Sequence, residues 1–196
     1  MNLVGFYRFH YINGGIIMIY IVRHVQTNWN ISKQLQGRTP IPLNENGRKE
    51  ADNVRKKIET LNFDRIISSD LLRATQTAEI INKHLSKDII FDSRLRSVDY
   101  GTLEGRFIPD ISQEEWEHYN STPTFFNAES TENVYLRIKS FFDEQFLKNE
   151  NVLIVAHGGT LRITSYYLRY RDKFIKYIYE TQDKDARPPA NTALFE

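Results

Sequence analysis

Two short apolar runs, each followed at once by a histidine, constrain the fold of this chain more than any other feature. Residues 16–23 form a β-branched and aromatic run that ends in Arg23 and is followed by His24. Residues 151–156 form, after Asn151, a continuous apolar run of the buried-strand type, followed by His157. Because each histidine directly follows a predicted strand, we expect both at the carboxyl edge of an open α/β sheet, which is where ligands bind in such folds. An arginine beside a histidine there indicates chemistry on an anion, with a phosphoryl group as the first candidate.

The rest of the pattern alternates strands and helices. Further strands are predicted at residues 63–68, 89–91 and, as a final edge strand, 192–195. Helices are predicted at approximately residues 46–61, 71–85, 113–119, 132–147 and 160–170. Asp70 is the expected N-cap of the second of these helices. The alternation predicts an α/β fold of three layers, with a mostly parallel central sheet and helices on both faces.

Length and composition fit one ordinary globular domain. Of the 196 residues, 40% are apolar and 26% are charged. We place the domain at residues 18–196, because Met18 comes just before the motifs described below, and take residues 1–17 as an upstream extension or a misplaced start. Polar residues interrupt the aromatic N terminus, so no signal peptide is expected. No apolar stretch is long enough to cross a bilayer, and we expect a cytoplasmic protein.

Charge and cysteine content exclude several classes of function. The formal net charge of +1 favours neither nucleic acid nor an anionic membrane as a partner. The chain contains no cysteine. Disulfides, thiolate metal sites and a cysteine nucleophile are therefore excluded.

Four motifs occur in this order along the chain: Arg23-His24-x-x-Thr27-x-x-Asn30, Ser68-Ser-Asp70-Leu-Leu-Arg73-Ala74-x-Gln76-Thr77-Ala78, Tyr100-Gly101-x-x-Glu104-Gly105 and Val155-Ala-His157-Gly158-Gly159-Thr160. Each is weak alone, but the set and its order resemble the histidine phosphatase superfamily, in the branch of cofactor-dependent phosphoglycerate mutases and broad-specificity phosphatases. The resemblance covers the chain from about Met18 to its end. It implies a phosphoglycerate mutase-like fold and a phosphohistidine intermediate on His24.

Phosphoryl transfer needs a nucleophile in line with phosphorus and positive charge on the other phosphoryl oxygens. His24 is the predicted nucleophile, since a neutral imidazole nitrogen can attack phosphorus and divide one difficult transfer into two easier ones. Arg23 and Arg73 are the predicted catalytic cations, because a planar guanidinium suits bidentate contact with phosphate oxygens. Arg73 has a plainer alternative, in which it pairs with Asp70 or Glu79 on a solvated helix face.

Four more residues complete the predicted phosphate site. His157 is expected to donate to a phosphate oxygen, with the amide of Gly158 at the start of a helix beside it. Thr27 and Asn30 are expected to add neutral donors, although either can instead only cap a loop. With two arginines and a second histidine supplying charge, the reaction needs no metal, and no cofactor is expected. The expected partner is a small phosphorylated substrate, and a homodimer is left open.

One departure from the family bears directly on mechanism. Family members with a proton donor carry a glutamate four residues before the glycine that matches Gly101, and this chain has Ser97 there. Losing a general acid slows such reactions by about 10²–10⁴-fold. Asp99 is one candidate substitute, because it shares a face with Ser97 if the segment is extended. Glu104 is a poorer one, since the family has a glutamate there alongside the usual acid, which indicates a structural role.

The serine at position 97 allows two further interpretations. The substrate can carry a leaving group that needs no strong protonation, as in phosphoramidates, acyl phosphates or anhydrides. Alternatively, the chain is a catalytically weak or inactive relative that still binds phosphorylated ligands. The prediction is a metal-independent phosphatase, with the binder as its alternative. Mutase chemistry is less favoured, because the chain has little room for the long insertions with which mutases cover their substrate.

Two further expectations concern the surroundings of the site. Val25 stands where the family usually has glycine, which costs little if the backbone there is extended and shifts the pocket if it is not. Residues 107–127 are the expected substrate lid. The aromatic side chains in that segment suit an apolar leaving group but can equally pack inward.

Overall fold

The helices and strands follow the predicted alternation. A computed structural model describes residues 4–10, 16–148 and 150–170 of the chain. The elements of that part are β1 (Val4–His10), β2 (Ile16–Arg23), α1 (Asn28–Ile31), α2 (Glu45–Ile58), β3 (Arg65–Ser68), α3 (Leu72–Asn82), β4 (Ile89–Phe91), α4 (Gln113–Ser121), α5 (Thr131–Lys148), β5 (Val152–Ala156) and α6 (Gly158–Tyr170). The strand predicted at 192–195 lies outside the described residues. None of the described helices is long and apolar enough to cross a membrane.

The five strands of the described part form one sheet in the order β1-β2-β5-β3-β4. β2, β5, β3 and β4 run parallel, and β1 pairs with β2 in the antiparallel direction. The prediction of a mostly parallel sheet is confirmed. β1 is an addition, because no strand is predicted ahead of Ile16, although the aromatic residues there are compatible with one.

Alternate residues of the central strands face opposite layers. Ile19 and Ile21 of β2 pack with α5 and α6, whereas Tyr20 and Val22 pack with α2 and α3. This alternation explains why the strand is apolar at nearly every position, since both of its faces are buried, as is usual in parallel sheets. Helices therefore cover both faces, and the predicted three layers are confirmed.

A third, smaller apolar cluster lies beside the sheet. It joins Leu35 and Leu103 to Ile111, Tyr119 and Phe126 from the segment expected as a lid. Tyr119 and Phe126 pack inward, whereas Phe125 is 67% exposed. The inward alternative is therefore the one observed for these two aromatic side chains.

The turn at Gly101 is held by a very close backbone approach. Its φ is +55°, and a Cβ atom on Gly101 would lie 1.8 Å from the carbonyl oxygen of Phe126. Only glycine adopts this conformation without strain and leaves room for that oxygen. This contact fixes the segment after Ser97 against the lid segment.

The start of α3 differs from the prediction. Leu71 occupies the N-cap position and makes no side-chain capping bond. Asp70 instead accepts two hydrogen bonds from the guanidinium of Arg96, which gives the side chain a stronger, charged partner. The prediction of Asp70 as an N-cap is wrong for that reason.

Candidate active site

Three polar side chains follow three neighbouring parallel strands at the same edge of the sheet. His24 follows β2, His157 follows β5, and Ser69 follows β3. The sheet ladder continues into these residues, since the N–H of His24 donates to Ala156 O and that of Ser69 to Val155 O, both at 2.9 Å. The two imidazole rings lie with their centroids 5.1 Å apart. The expectation that both histidines meet at a carboxyl edge agrees with this geometry.

His24 is held in one tautomer by the main chain. The residue is only 5% exposed, and its Nδ1 lies 2.9 Å from the carbonyl oxygen of Val25. Because a carbonyl oxygen can only accept, Nδ1 carries the hydrogen and Nε2 keeps its lone pair. Burial holds the pKa of His24 well below its usual value, and the charges of Arg73 and Arg23 lower it further. The imidazole is therefore neutral at neutral pH.

His157 is fixed by a serine that is not among the predicted site residues. Its Nε2 lies 2.8 Å from Oγ of Ser69, and the residue is 1% exposed. Its Nδ1 is buried and has no hydrogen-bond partner in the described part of the chain. Burial, followed by the charge of Arg73, also holds the pKa of His157 well below its usual value. Ser69 carries the same sequence signal as the histidines, a polar residue directly after an apolar strand.

Arg73 is buried in the interior and does not lie on a solvated helix face. It is 1% exposed, and its Nη1 and Nη2 donate to Thr39 O (3.1 Å) and Gly37 O (2.7 Å). Its Nε is buried without a partner among the described residues. Burial, together with the charge of Arg23, lowers the pKa of Arg73 to about 10, against an opposing effect of Glu104. The plainer alternative for Arg73 is therefore not observed.

Arg23 completes a group that we call the His–Arg cluster: His24, His157, Arg23 and Arg73. Burial lowers the pKa of Arg23, and the charges of both arginines lower the pKa of both histidines, so the four side chains are electrostatically coupled. Gly158 lies against Arg23, because a Cβ on that glycine would be 3.3 Å from the guanidinium carbon. The four residues predicted as catalytic are thus brought together.

Thr27 and Asn30 cap a short helix. The backbone N–H of Asn30 donates to Oγ1 of Thr27 (3.2 Å), and Oδ1 of Asn30 accepts from the backbone N–H of Thr27 (3.0 Å). This reciprocal arrangement is a capping box at the start of α1. None of the hydrogen bonds found in the described part of the chain joins either side chain to the His–Arg cluster, so their phosphate role stays a prediction.

Residues 96–101, which we call the crossing segment, pass over the beginning of α6. The hydroxyl of Thr160 donates to the carbonyl oxygen of Arg96 at 2.7 Å. A Cβ on Gly159 would lie 3.2 Å from Val98 and 3.7 Å from the Tyr100 hydroxyl. Ser97 is buried in this segment, and its carbonyl oxygen accepts from Nη2 of Arg137 in α5 at 3.2 Å. The crossing segment therefore lies next to the turn that carries His157.

Asp99 is held by two partners. Its Oδ1 accepts from the Gly101 N–H at 2.9 Å, and its Oδ2 lies 3.3 Å from Nη1 of Arg38. The same guanidinium lies 3.2 Å from Glu129. The carboxylate of Asp99 is thus part of an ion-pair network that joins the crossing segment to Arg38 and Glu129.

Glu104 organises the loop that receives Arg73. Its two oxygens accept from the backbone N–H groups of Arg38 (2.8 Å) and Thr39 (2.9 Å) and from the Thr39 hydroxyl (2.6 Å). It also accepts from the N–H of Tyr100 at 3.2 Å. This agrees with the structural role expected for Glu104.

Val25 is accommodated without strain. Its φ is outside the left-handed region, and its side chain packs in the core with Val22 and Leu43. The replacement of the usual glycine costs little here, because the backbone needs no special conformation. Within the described residues, no three histidine, aspartate or glutamate side chains come together as a metal site requires.

Fold and site together define a class of α/β protein that presents paired histidines and arginines at the carboxyl edge of a parallel sheet. Residues 19–178 match the model of the histidine phosphatase superfamily (branch 1). A protein named "Probable phosphoglycerate mutase GpmB" from Cronobacter sakazakii is 35% identical over 154 residues, which cover 74% of this chain and 72% of that protein. The chain belongs to the histidine phosphatase superfamily.

Further relatives match over a shorter length or through the fold. A protein of the same name from Citrobacter koseri is 42% identical over 100 residues, so the match spans 51% of this chain and 46% of that protein. The solved structure of Bacillus stearothermophilus YhfR superposes with a TM-score of 0.68 at 30% identity, covering 77% of this chain and 79% of that one. The alpha-ribazole phosphatase from Shigella flexneri gives a TM-score of 0.64 at 26% identity, with coverage of 74% and 75%.

Proposed function

We propose that this protein is a metal-independent phosphatase that hydrolyses a small phosphorylated substrate through a phosphohistidine on His24. The observation that carries the proposal is the bond from Nδ1 of His24 to the carbonyl oxygen of Val25. It leaves Nε2 with a lone pair in a ring that stays neutral at neutral pH, which is what attack on phosphorus requires. Membership of the family supports phosphatase or mutase-type activity and leaves the substrate open.

The remaining members of the His–Arg cluster would bind the phosphoryl oxygens. When the Ser69 hydroxyl donates to Nε2 of His157, Nδ1 carries a hydrogen and can donate to a phosphoryl oxygen. Nε of Arg73 is a second buried donor, and Arg23 brings a second positive charge. The N–H groups at the start of α6, with Gly158, are suited to the same anion. Such preorganised donors stabilise the charge that develops on the equatorial oxygens.

Ser97 in place of the acid glutamate leaves one alternative, in which the protein binds phosphorylated ligands with little or no turnover. One experiment separates the two functions. Purified protein is incubated with acetyl phosphate and with aryl and alkyl phosphomonoesters, with His24→Ala as the test variant and His84→Ala, at an exposed position, as the matched control. We expect phosphate release by the wild type and by His84→Ala and none by His24→Ala.

A covalent test accompanies the turnover assay. Radiolabelled acetyl phosphate should leave an acid-labile, alkali-stable label on the wild type and none on His24→Ala. Thermal stabilisation by phosphate without turnover or label would establish the binder instead. Release of phosphate by a folded His24→Ala protein would exclude His24 as the nucleophile.

Mutase chemistry is the second candidate, because the curated relatives carry a phosphoglycerate mutase name. A mutase returns the phosphoryl group from the histidine to the bound substrate, whereas a phosphatase gives it to water. Incubation with 3-phosphoglycerate distinguishes these fates by the ratio of isomerised substrate to inorganic phosphate. We expect inorganic phosphate to dominate.

A further inference from the structure

We propose that the substrates of this site are acyl phosphates or phosphoanhydrides, whose leaving oxygen departs as a stable anion without receiving a proton from the protein. This inference rests on the proposed function. Its first support is the side chain at position 97. Ser97 is buried in the crossing segment, next to the turn carrying His157, and a serine hydroxyl is far too weak an acid to protonate a leaving group.

The second support is that carboxylates around this segment are already engaged. Asp99 accepts from the Gly101 N–H and faces Arg38. Glu129 is bound by Nε and Nη2 of Arg137 at 2.8 and 3.0 Å. Each would have to lose charge-assisted hydrogen bonds before it could carry a proton to a substrate, and such bonds are the stronger kind in proteins.

Two more carboxylates near the segment are bound in the same way. Glu104 accepts from two backbone N–H groups of the loop that binds Arg73, and from the Thr39 hydroxyl. Asp70 accepts from the guanidinium of Arg96, a bond that lowers the pKa of that carboxyl. A carboxyl group with a lowered pKa is deprotonated at neutral pH and serves poorly as a general acid.

The phenol of Tyr100, close to the start of α6, is no better as an acid. Its hydroxyl would lie 3.7 Å from a Cβ on Gly159, near the turn that carries His157. Burial raises the pKa of Tyr100 above the usual value, and the charge of Glu104 raises it further, against the opposing charge of Arg162. A phenol with a raised pKa gives up its proton reluctantly. None of the carboxyl and phenol groups described here around the crossing segment is therefore suited to give a proton to a leaving group.

The reaction balances without such a proton. In the first step Nε2 of His24 forms a bond to phosphorus while the bridging P–O bond breaks, and its electron pair stays on the leaving oxygen, which departs as a carboxylate or a phosphate. In the second step a water oxygen attacks phosphorus, the P–N bond breaks, and its electron pair returns to Nε2. The proton of that water passes to solvent. An alkyl phosphate, by contrast, would have to expel a strongly basic alkoxide.

A leaving-group series tests the inference. We would measure kcat/KM and the rate of phosphohistidine formation with acetyl phosphate, pyrophosphate, ring-substituted phenyl phosphates and ethyl phosphate. We expect ethyl phosphate to react about 10²–10⁴-fold more slowly than acetyl phosphate. Within the phenyl phosphates, we expect the rate to rise steeply with the acidity of the phenol that leaves. Comparison of acetyl phosphate with pyrophosphate shows which of the two sources of leaving anion the site accepts.

The outcomes separate this inference from the proposed function. Equal rates of His24 phosphorylation across the series would overturn the inference and leave the phosphohistidine mechanism intact. Phosphate release by a folded His24→Ala protein would overturn the proposed function itself.

Substitutions in the crossing segment sharpen the test. Ser97→Glu should raise the rate on ethyl phosphate by about 10²-fold and flatten the phenyl series, because it restores a carboxylic acid. Ser93→Glu makes the same change at an exposed position shortly before the segment and should alter neither. Because a glutamate at a buried position can prevent folding, Asp99→Asn provides a second variant. A steep series that becomes steeper in Asp99→Asn would identify Asp99 as an acid and contradict the inference, whereas an unchanged slope supports it.

Discussion

A single backbone carbonyl determines which nitrogen of His24 keeps its lone pair. Val25 O accepts from Nδ1, and the histidine pair is buried beside two guanidinium groups that disfavour protonation. Sequence alone can place His24 after a strand, but neither its tautomer nor its neutral state follows from residue types. Those properties depend on burial and on Arg73, which is distant along the chain and reaches the site only through the fold.

Arg73→Lys tests whether the fork shape of this side chain matters. Lysine keeps the charge, but its three donors share one compact nitrogen and lack the planar fork with which Arg73 reaches the carbonyl oxygens of both Gly37 and Thr39 and still directs Nε elsewhere. We expect kcat/KM to fall by about 10²–10³-fold, the size of loss seen when one preorganised donor is removed. Steady-state kinetics measure the loss, and Arg48→Lys, at an exposed position on α2, is the control. Wild-type activity in Arg73→Lys would show that charge alone suffices.

Some residue assignments follow from the sequence and others do not. The four residues of the His–Arg cluster stand in motifs whose spacing marks them. Ser69 escapes prediction although it follows β3 as the histidines follow their strands. Asp70 is wrongly predicted as a cap, because its choice between the helix terminus and Arg96 depends on a contact between separate parts of the chain.

Among the elements, the loop that receives Arg73 depends on Glu104. Both carboxylate oxygens of Glu104 accept hydrogen bonds from N–H and O–H donors of this loop. In Glu104→Gln one of these oxygens becomes an NH₂ group, which cannot accept them. We expect the free energy of unfolding to fall by about 1.5–3 kcal/mol, the usual worth of a hydrogen bond to a charged group. Urea unfolding measures it, with Glu79→Gln on the exposed side of α3 as the control. Unchanged stability would mean that the loop is held by different contacts.

Two glycines, one in the crossing segment and one just after it, make a matched pair. Gly101 and Gly105 both have positive φ, at +55° and +85°, but of the two only Gly101 approaches a backbone oxygen. Gly105→Ala should cost about 1–3 kcal/mol of stability for strain alone. Gly101→Ala should cost clearly more, or prevent folding, because the carbonyl of Phe126 cannot move as a side chain can. Equal losses in urea unfolding would show that this close approach contributes nothing.

The regular elements are predictable and the region around the crossing segment is not. β2 and β4 have the predicted bounds, because apolar runs with clear ends mark buried strands. The region from Ser93 to Phe126 contains several short 3-10 turns whose shape depends on partners far away in sequence. The local structural propensities of the residues do not reflect contacts with such distant partners. The sequence therefore indicates little more than irregular structure for these turns.

For the molecule as a whole, the two buried histidines make stability depend on pH. Both have a folded-state pKa well below the unfolded value of about 6.5. As pH falls below that value the unfolded chain takes up protons that the folded chain does not, so stability is present above it and is lost on acidification. Each group contributes a slope of up to about 1.4 kcal/mol per pH unit.

Urea unfolding between pH 8 and pH 5 measures this dependence. We expect the double variant His24→Gln, His157→Gln to lose less stability over the range than the wild type does. His84→Gln, at an exposed position, should follow the wild type. Parallel curves for the wild type and the double variant would show that the buried imidazoles do not govern acid sensitivity.

The division between sheet edge and crossing segment has a consequence for how such proteins diversify. The two imidazoles that would face a phosphoryl unit follow neighbouring strands of one rigid ladder, whereas position 97, which on the proposed function would govern departure of the leaving group, lies in a separate stretch held by Glu104, Arg137 and Gly101. On the proposed function, exchange of one side chain in that stretch would change which leaving groups are accepted, while the binding of the phosphoryl unit would be inherited unchanged.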